Sequence, residues 1–329
     1  MINDEAFVIE AGGIRLDAAL IMRFPTVPRS FVREACDSGK IRVNGRNASK
    51  GPKLKYGDRV DVIALDEEAD NRPLADGSIA LDCVFEDSSL LAFDKPAGMP
   101  VQPLTRREGG TLMNGVVARW PECVGVGDSP LMAGALHRID ADTSGLVLVA
   151  RNKEAFDGVR SQFAAHTVRK VYIALVEGNV EDGGTLENDL AHMPGLGYCK
   201  MVDVSRARLS ESERRLLSSK ALHAVTAYRP IGHIRKECED LTLLEVTIYT
   251  GVTHQIRAQL AMAGMHIVND RLYGAFAVEG MAGHCLHALS ASFIHPVSGM
   301  DCEIATHAPA WAMQIADFGE TGKASVSHH

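Results

Sequence analysis

Three charged residues on one short polar stretch are the first candidates for chemistry in this chain. They are Arg138, Asp140 and Asp142, within Leu136-His137-Arg138-Ile139-Asp140-Ala141-Asp142-Thr143-Ser144-Gly145. A carboxylate beside a guanidinium can serve as an acid, a base or a nucleophile, and the same spacing also describes a surface turn with a solvated ion pair. Thr-Ser-Gly forms a turn, and Leu146 to Val149 is wholly apolar, as a buried strand would be. The stretch is therefore a polar loop held beside a rigid element, where functional residues tend to gather.

Two more side chains stand out by position. Tyr172 lies in Arg169-Lys170-Val171-Tyr172-Ile173-Ala174-Leu175-Val176-Glu177-Gly178, a strand by its β-branched content and its end at glycine. Period two sets Lys170, Tyr172, Ala174 and Val176 on one face and Val171, Ile173 and Leu175 on the other. A tyrosine presented so can pack across the sheet, or stack on a planar base and offer its hydroxyl to a polar group. Arg257 falls early in a helix predicted over 253–264, with Thr253 as N-cap, Gly264 as stop, and Ile256, Leu260 and Ala263 as the buried stripe. A cation there opposes the helix dipole by roughly a few tenths of a kcal/mol, which a nearby anion would offset.

The elements that must position these groups follow in order. Strands are predicted at 81–87 and 90–94, a turn at Lys95-Pro96-Ala97-Gly98, a helix from Leu112 to Trp120 and a loose loop over 121–135. Asn152 caps a helix whose Phe156, Val159 and Phe163 share one face. Residues 192–236 read as less regular: a loop at Pro194-Gly195-Leu196-Gly197, a mixed-charge exposed helix over 206–220 and a strand from His223 to Arg229. A long strand runs from Leu241 to Thr250. Five histidines (254, 266, 284, 287 and 295) fit no zinc spacing and read as structural.

Ahead of all this, residues 14–65 read as a compact unit. Helical spacing covers Ile14 to Leu20 and Phe31 to Ala35, the second helix with Ser30 as N-cap and Gly39 as stop. Ile41-Arg42-Val43 runs into an Asn44-Gly45 hairpin turn, and Arg59 to Ile63 alternates like a strand. From Arg15 to Arg59 there are eleven Lys or Arg against four Asp or Glu, a surplus of seven, in a chain whose net charge is −8; the remainder carries −15. A basic segment on an acidic body suits a polyanion. An acidic, Pro- and Gly-containing linker spans 66–80, and the tail from 319 to 329 reads as disordered, with His328-His329 at its end.

An apolar fraction of 46% and a charged fraction of 23% are those of an ordinary globular protein, and 329 residues allow one to three domains. No apolar run reaches 18 residues, and the acidic start Met1-Ile2-Asn3-Asp4-Glu5 is unlike a signal peptide. Seven scattered cysteines with no CxxC pair point to reduced thiols and a cytoplasmic setting.

His137-Arg138-Ile139-Asp140…Thr143-Ser144-Gly145 resembles the signature loop of the RluA-type RNA pseudouridine synthases. Lys95-Pro96-Ala97-Gly98, Lys170-Val171-Tyr172-Ile173-Ala174 and Thr250-Gly251-Val252-Thr253-His254-Gln255-Ile256-Arg257 resemble further hallmarks of that family. Three departures accompany the match: Gln102 for the usual His, Val252 for a frequent Arg, and Asn269 for the usual Gly. Arg15-Leu16-Asp17, Ser30, Ile41-Arg42-Val43-Asn44-Gly45 and Gly57-Asp58 resemble the small S-four-like RNA-binding module.

The resemblance implies an α+β protein: a small N-terminal α/β RNA-binding domain at 14–65, then a catalytic domain at 81–318 built on a large mixed or antiparallel sheet flanked by helices. It implies isomerisation of uridine to pseudouridine in structured RNA, with large-subunit ribosomal RNA as the expected substrate and transfer RNA as the alternative. Asp140 is the implied catalytic carboxylate, Arg257 its partner and Tyr172 the residue against the uracil. Arg138 fills the space left by the flipped base, and Arg29, Arg33, Lys40 and Arg42 contact phosphates. The reaction has no net oxidation, hydrolysis or group donor, so no cofactor or metal is expected. A cytoplasmic monomer acting on RNA, with no membrane partner, is the expectation. Two rivals stand beside it: a non-catalytic RNA-binding or ribosome-assembly protein, and a base-releasing glycosidase using the same carboxylates.

Overall fold

The computed structural model describes residues 2–48, 51–67, 71–194, 199–204, 217, 220–236, 239–275 and 281–313. The loop expected at 194–197 falls largely outside these residues. So do nearly all of the helix expected over 206–220, the tail at 319–329 and Cys238. The chain forms two compact units, Met1–Arg72 and Pro73–His329.

The first unit contains strand β1 (Ile2–Val8), helices α1 (Leu16–Arg23) and α2 (Arg29–Asp37), and strands β2 (Ile41–Val43), β3 (Arg46–Asn47) and β4 (Arg59–Leu65). Its antiparallel sheet has the order β1-β4-β2-β3. β1 lies before residue 14, yet pairs along β4 from Ile2↔Leu65 to Val8↔Arg59. Asn44 and Gly45 both take positive φ (50° and 78°), the backbone a two-residue hairpin needs. Leu16, Leu20, Val32, Ile41, Val60 and Leu65 form the core of this unit. Ser30 is not the cap of α2. The helix starts one residue earlier, behind Pro28, whose fixed φ of −60° starts the turn without any side-chain hydrogen bond.

In the second unit, β5 (Asp82–Glu86) and β6 (Leu90–Lys95) precede α3 (Leu112–Arg119); then come β7 (Ser144–Ala150), α4 (Lys153–Ala164) and β8 (Arg169–Glu177). β9 (Gly184–Pro194), β10 (Cys199–Asp203), β11 (Leu222–Lys236) and β12 (Glu239–Ile248) continue the sheet. α5 (Gln255–Met262), β13 (Leu286–Ile294), β14 (Asp301–Ala305) and α6 (Ala310–Met313) complete it. The ten-stranded sheet runs β10-β9-β11-β12-β8-β13-β7-β6-β5, with β14 on β13. Pairing is antiparallel except between β7 and β13, so the sheet is mixed. The fold class read from sequence, α+β with a large mixed sheet, is the one observed. Among the described residues no helix is long and apolar enough to cross a membrane.

Leu91 and Phe93 on β6, Val147, Leu148 and Val149 on β7, and Ile173 on the central strand β8 are fully buried. This is why Leu146 to Val149 is a continuous apolar run and not an alternating one. Asn152 caps α4 by accepting the Ala155 amide at 2.9 Å. Thr111 and Asn114 form a buried capping box on α3, and Asn114 also ties down the backbone of Leu74 and Asp76. Residues 121–135 are not loose; two 3₁₀ turns, at Pro121–Cys123 and Pro130–Met132, order them. Within 192–236, read as less regular, the described residues form the end of β9, a paired β10 and the long β11.

The entry to β7 depends on one glycine. Gly145 has φ of +107° and sits directly against the Ala288 carbonyl where β7 and β13 meet in parallel. A Cβ there would drive into that carbonyl from a backbone angle L-residues avoid. Gly145→Ala is expected to cost about 3 kcal/mol or more of folding stability. A urea-unfolding midpoint within error of the parent's would contradict this.

Candidate active site

The loop from Leu136 to Gly145 is fixed at both ends and in the middle. Leu136 N–H donates to Leu148 O at 2.9 Å, and Leu148 N–H donates to His137 Nε2 at 3.1 Å. That nitrogen is thus unprotonated, and burial pushes the His137 pKa down to about 3. At the centre, Thr143 N–H closes a turn onto Asp140 O, and Gly98 N–H donates to Ala141 O. The fully buried Lys95 ammonium donates to the carbonyls of Pro96, Met99 and Ala141 at 2.9, 2.7 and 3.0 Å. It thereby joins the Lys-Pro-x-Gly turn to the loop. Burial lowers its pKa to about 8 against the raising influence of Asp142 and Asp140. Thr143 Oγ1 bonds His284 Nε2 at 2.7 Å, and Ser144 Oγ bonds His287 Nδ1 at 2.8 Å.

Arg257 arrives on α5. This helix does not begin at Thr253: His254, with φ of +52°, is the flanking residue. No side chain caps the helix; Gln255 instead braces the turn ahead of it, its Oε1 accepting from Val252 N–H at 3.1 Å and from the Thr250 hydroxyl at 2.9 Å. The expected apolar stripe is also wider than a stripe. Gln255 to Leu260 are all buried, whereas Ala263 is exposed, because the helix is sunk into the unit at its N-terminal end.

The two arms of the candidate site meet directly. Arg257 Nη1 donates to Asp140 Oδ2 at 2.7 Å. The same guanidinium makes a two-pronged pair with Asp270, Nε to Oδ2 at 2.7 Å and Nη2 to Oδ1 at 2.8 Å. Burial opposes the charge on Arg257; the hydrogen bonds to Asp270 and both carboxylates outweigh it and push its pKa up. Burial alone would raise the Asp270 pKa, but Arg257 holds it below the usual value. Side-chain exposure falls from 26% at Asp140 to 8% at Arg257 and 2% at Asp270, so Asp140 is the member facing outward. The anion that the Arg257 position called for is thus two anions.

Tyr172, on β8 opposite Val246 and Ala288, is buried; burial and the nearby charge of Asp140 push its pKa up, so its hydroxyl stays protonated. Its neighbour Lys170 donates to Thr250 O at 2.7 Å. Arg138 is exposed, and among the described residues its guanidinium forms no ion pair or hydrogen bond. Asp142 is also exposed; its backbone carbonyl stands against Gly283. Arg29, Arg33, Lys40 and Arg42 belong to the first unit and are not part of this cluster. Arg29 and Arg33 line a groove of about 350 Å³ between α1 and α2, together with Arg15 and Asp17. Arg42 is exposed on β2, and Lys40 is half-buried before it.

Sequence reading passed over Asp270, His254, Tyr273 and His284 as functional neighbours. No sequence signal singled out Asp270: a buried arginine needs more negative charge than one half-exposed aspartate supplies, but the burial of Arg257 is itself a product of the fold. Asn269, where glycine was expected, holds φ of +66°, a conformation asparagine tolerates, and its side chain donates to the Met281 and Gly283 carbonyls. The five histidines all have ring partners: Tyr273 for 254 and 266, Thr143 for 284, Ser144 and Thr306 for 287, Asp87 for 295. No group of three metal-binding side chains is found among the described residues.

A buried carboxylate–guanidinium–carboxylate line, open at one carboxylate and carried on a mixed sheet, is an architecture for acting on a polar substrate without exposing the charges behind it. Residues 89–262 match the family model described as RNA pseudouridylate synthase, and the chain belongs to that family. It is an enzyme that isomerises uridine in RNA. It is 33% identical over 303 residues to the ribosomal large subunit pseudouridine synthase D of Xanthomonas campestris pv. campestris, covering 88% of this chain and 84% of that one. The protein of the same name from Pseudomonas aeruginosa is 31% identical, with 88% and 87% covered. Human RNA pseudouridylate synthase domain containing 1 shares the fold, with a TM-score of 0.54 at 22% identity over 70% of this chain and 84% of that one.

The loop's histidines make its stability depend on acid. Burial pushes His284 and His287 each down to about 4 from 6.5. Between those values the unfolded chain binds protons the folded chain does not, so stability is complete above about pH 6.5 and is lost as pH falls towards 4. Within that window the two residues contribute a slope of about 3 kcal/mol per pH unit. Urea unfolding from pH 7 to pH 4 checks it; a flat profile contradicts it.

Proposed function

We propose that Asp140 is the catalytic carboxylate of a site-specific pseudouridine synthase whose substrate is large-subunit ribosomal RNA. The observation that carries the reading is the 2.7 Å bond from Arg257 to Asp140 Oδ2, backed by Asp270. It keeps a carboxylate oriented at the mouth of the site while its countercharge stays buried. The ribosomal assignment rests on the relatives named for large-subunit modification. The cytoplasm is the expected location for that substrate.

In the proposed reaction the target nucleotide leaves its stack. Arg138, exposed two residues before Asp140, occupies the vacated space. Asp140 acts on the ribose, as nucleophile or base, while the N-glycosidic bond breaks. The uracil turns in place, packed on Tyr172, and a carbon–carbon bond forms to C5. Tyr172 supports the base by contact and hydrogen bonding and helps relay the C5 proton to water, while N1 takes up a proton in exchange. Arg29, Arg33, Lys40 and Arg42 of the S-four-like unit bind phosphates and position the RNA.

Asp140→Asn and Asp140→Ala are expected to abolish pseudouridine formation while RNA binding persists, measured by tritium release from [5-³H]uridine-labelled ribosomal RNA. Turnover near the parent's rate would refute the role, and free uracil in the products would indicate a glycosidase. Replacing Arg29 and Arg33 with Ala should weaken RNA binding uniformly and lower the salt dependence of log K by about one for each phosphate no longer neutralised. An unchanged slope would remove these arginines from the interface.

A further inference from the structure

The Asp140 reading leaves unexplained why one carboxylate oxygen is tied up and what the ring beside it does. Asp140 Oδ2 takes the Arg257 bond, and His254 Nε2 lies 3.7 Å from that same oxygen. Among the described residues Oδ1 has no hydrogen bond. The position of the imidazole proton therefore matters, and the hydrogen bonds behind the ring determine it.

Met201, on β10, donates its backbone N–H to the Tyr273 hydroxyl oxygen at 2.9 Å. Tyr273 must place its own proton elsewhere, and His254 Nδ1 is 3.2 Å from that oxygen. The arrangement that gives the hydroxyl proton a protein partner has Tyr273 O–H donating to Nδ1. A neutral imidazole accepting at Nδ1 carries its proton on Nε2, which faces Asp140. Both rings stay in the required states: burial raises the Tyr273 pKa to about 12 and lowers that of His254. The charged groups acting on His254 are Asp140 and Asp270, which favour its protonation, and Arg257 and His192, which oppose it. The geometry is fixed from several sides. His254 and Tyr273 meet edge to face at 5.8 Å and 87°, and Arg257 and Lys200 lie 5.3 and 5.6 Å from the Tyr273 ring centre. His266 Nδ1 holds the Tyr273 carbonyl at 2.8 Å.

We propose that Tyr273 and His254 are positioning residues: the chain Met201 N–H, Tyr273 O–H, His254 fixes the Nε2–H tautomer and aims it at Asp140 Oδ2, so that Oδ1 is the oxygen presented to the ribose. This rests on Asp140 being the reacting carboxylate. The 3.7 Å gap closes to a hydrogen bond when substrate excludes water, as catalytic contacts commonly tighten in the complex. The proposal also gives β10 a task, since one of its backbone amides starts the chain.

The test uses the full-length enzyme and large-subunit ribosomal RNA from cells lacking its gene. Tyr273→Phe keeps the ring and both cation neighbours, and should lower kcat about tenfold with KM for RNA within about twofold. His254→Leu should do the same. His254→Gln, whose amide N–H needs no tautomer, should retain most of kcat, and adding Tyr273→Phe to it should change nothing further. A parent-like kcat for Tyr273→Phe, or additive effects in the double variant, overturns the proposal. ¹⁵N-histidine NMR of the parent, with His254→Gln for assignment, reads the tautomer independently of activity. Protonated Nε2 with bare Nδ1 supports the chain, and the reverse overturns it. A parent enzyme that makes no pseudouridine in this RNA defeats the functional reading instead, and the tautomer still decides the hydrogen-bond chain.

Discussion

The burial of one guanidinium between two carboxylates is the constraint on which the second unit's functional end depends. Arg257 is nearly sealed from solvent, and an unpaired cation there would carry a desolvation penalty of several kcal/mol. Asp270 offsets much of it with a two-pronged pair, and Asp140 completes it at the surface side. The arrangement divides labour between otherwise similar aspartates. The buried one stabilises the arginine, and the half-exposed one is left with an oxygen to spare. Lys95 does a comparable job for the backbone: three carbonyls converge on its ammonium, so the loop bearing Asp140 cannot shift without leaving a buried charge short of acceptors.

Around that core the sheet acts as a jig. β7 delivers the loop, β8 delivers Tyr172, and β13 meets both: antiparallel to β8 and parallel to β7. The side-chain bonds Thr143–His284 and Ser144–His287 secure the loop to the strand entry at β13. His287 is a double-ended connector between Ser144 and Thr306, while His284 holds Thr143 from one side, and both rings are buried against hydroxyl partners.

Much of this could be read from residues alone, and the failures have physical causes. The apolar run at 146–149, the Asn152 cap, the Asn44-Gly45 turn and the outlier cation at Arg257 each carry a local signal that the fold respects. Ser30 and Thr253 are not the caps because α2 begins behind Pro28 and α5 behind His254, neither with a side-chain cap. β10 was missed because its pairing with β9 is a tertiary fact with only a weak period-two pattern. Asp270 and Tyr273 were invisible as site residues for another reason. Their importance comes from what they touch, and nothing in Asn269-Asp270-Arg271-Leu272-Tyr273-Gly274 states that Arg257 and His254 fold against it.

Asp140 and Arg257 stand 117 positions apart, and Thr143 and His284 stand 141 apart. A ribosome synthesising this protein therefore releases the first unit and the Asp140 loop well before the residues that pair with that loop. Through that interval of translation the nascent chain carries a carboxylate that lacks its arginine. A chain interrupted in that interval lacks both the Arg257 that pairs with Asp140 and the His284 that anchors the loop.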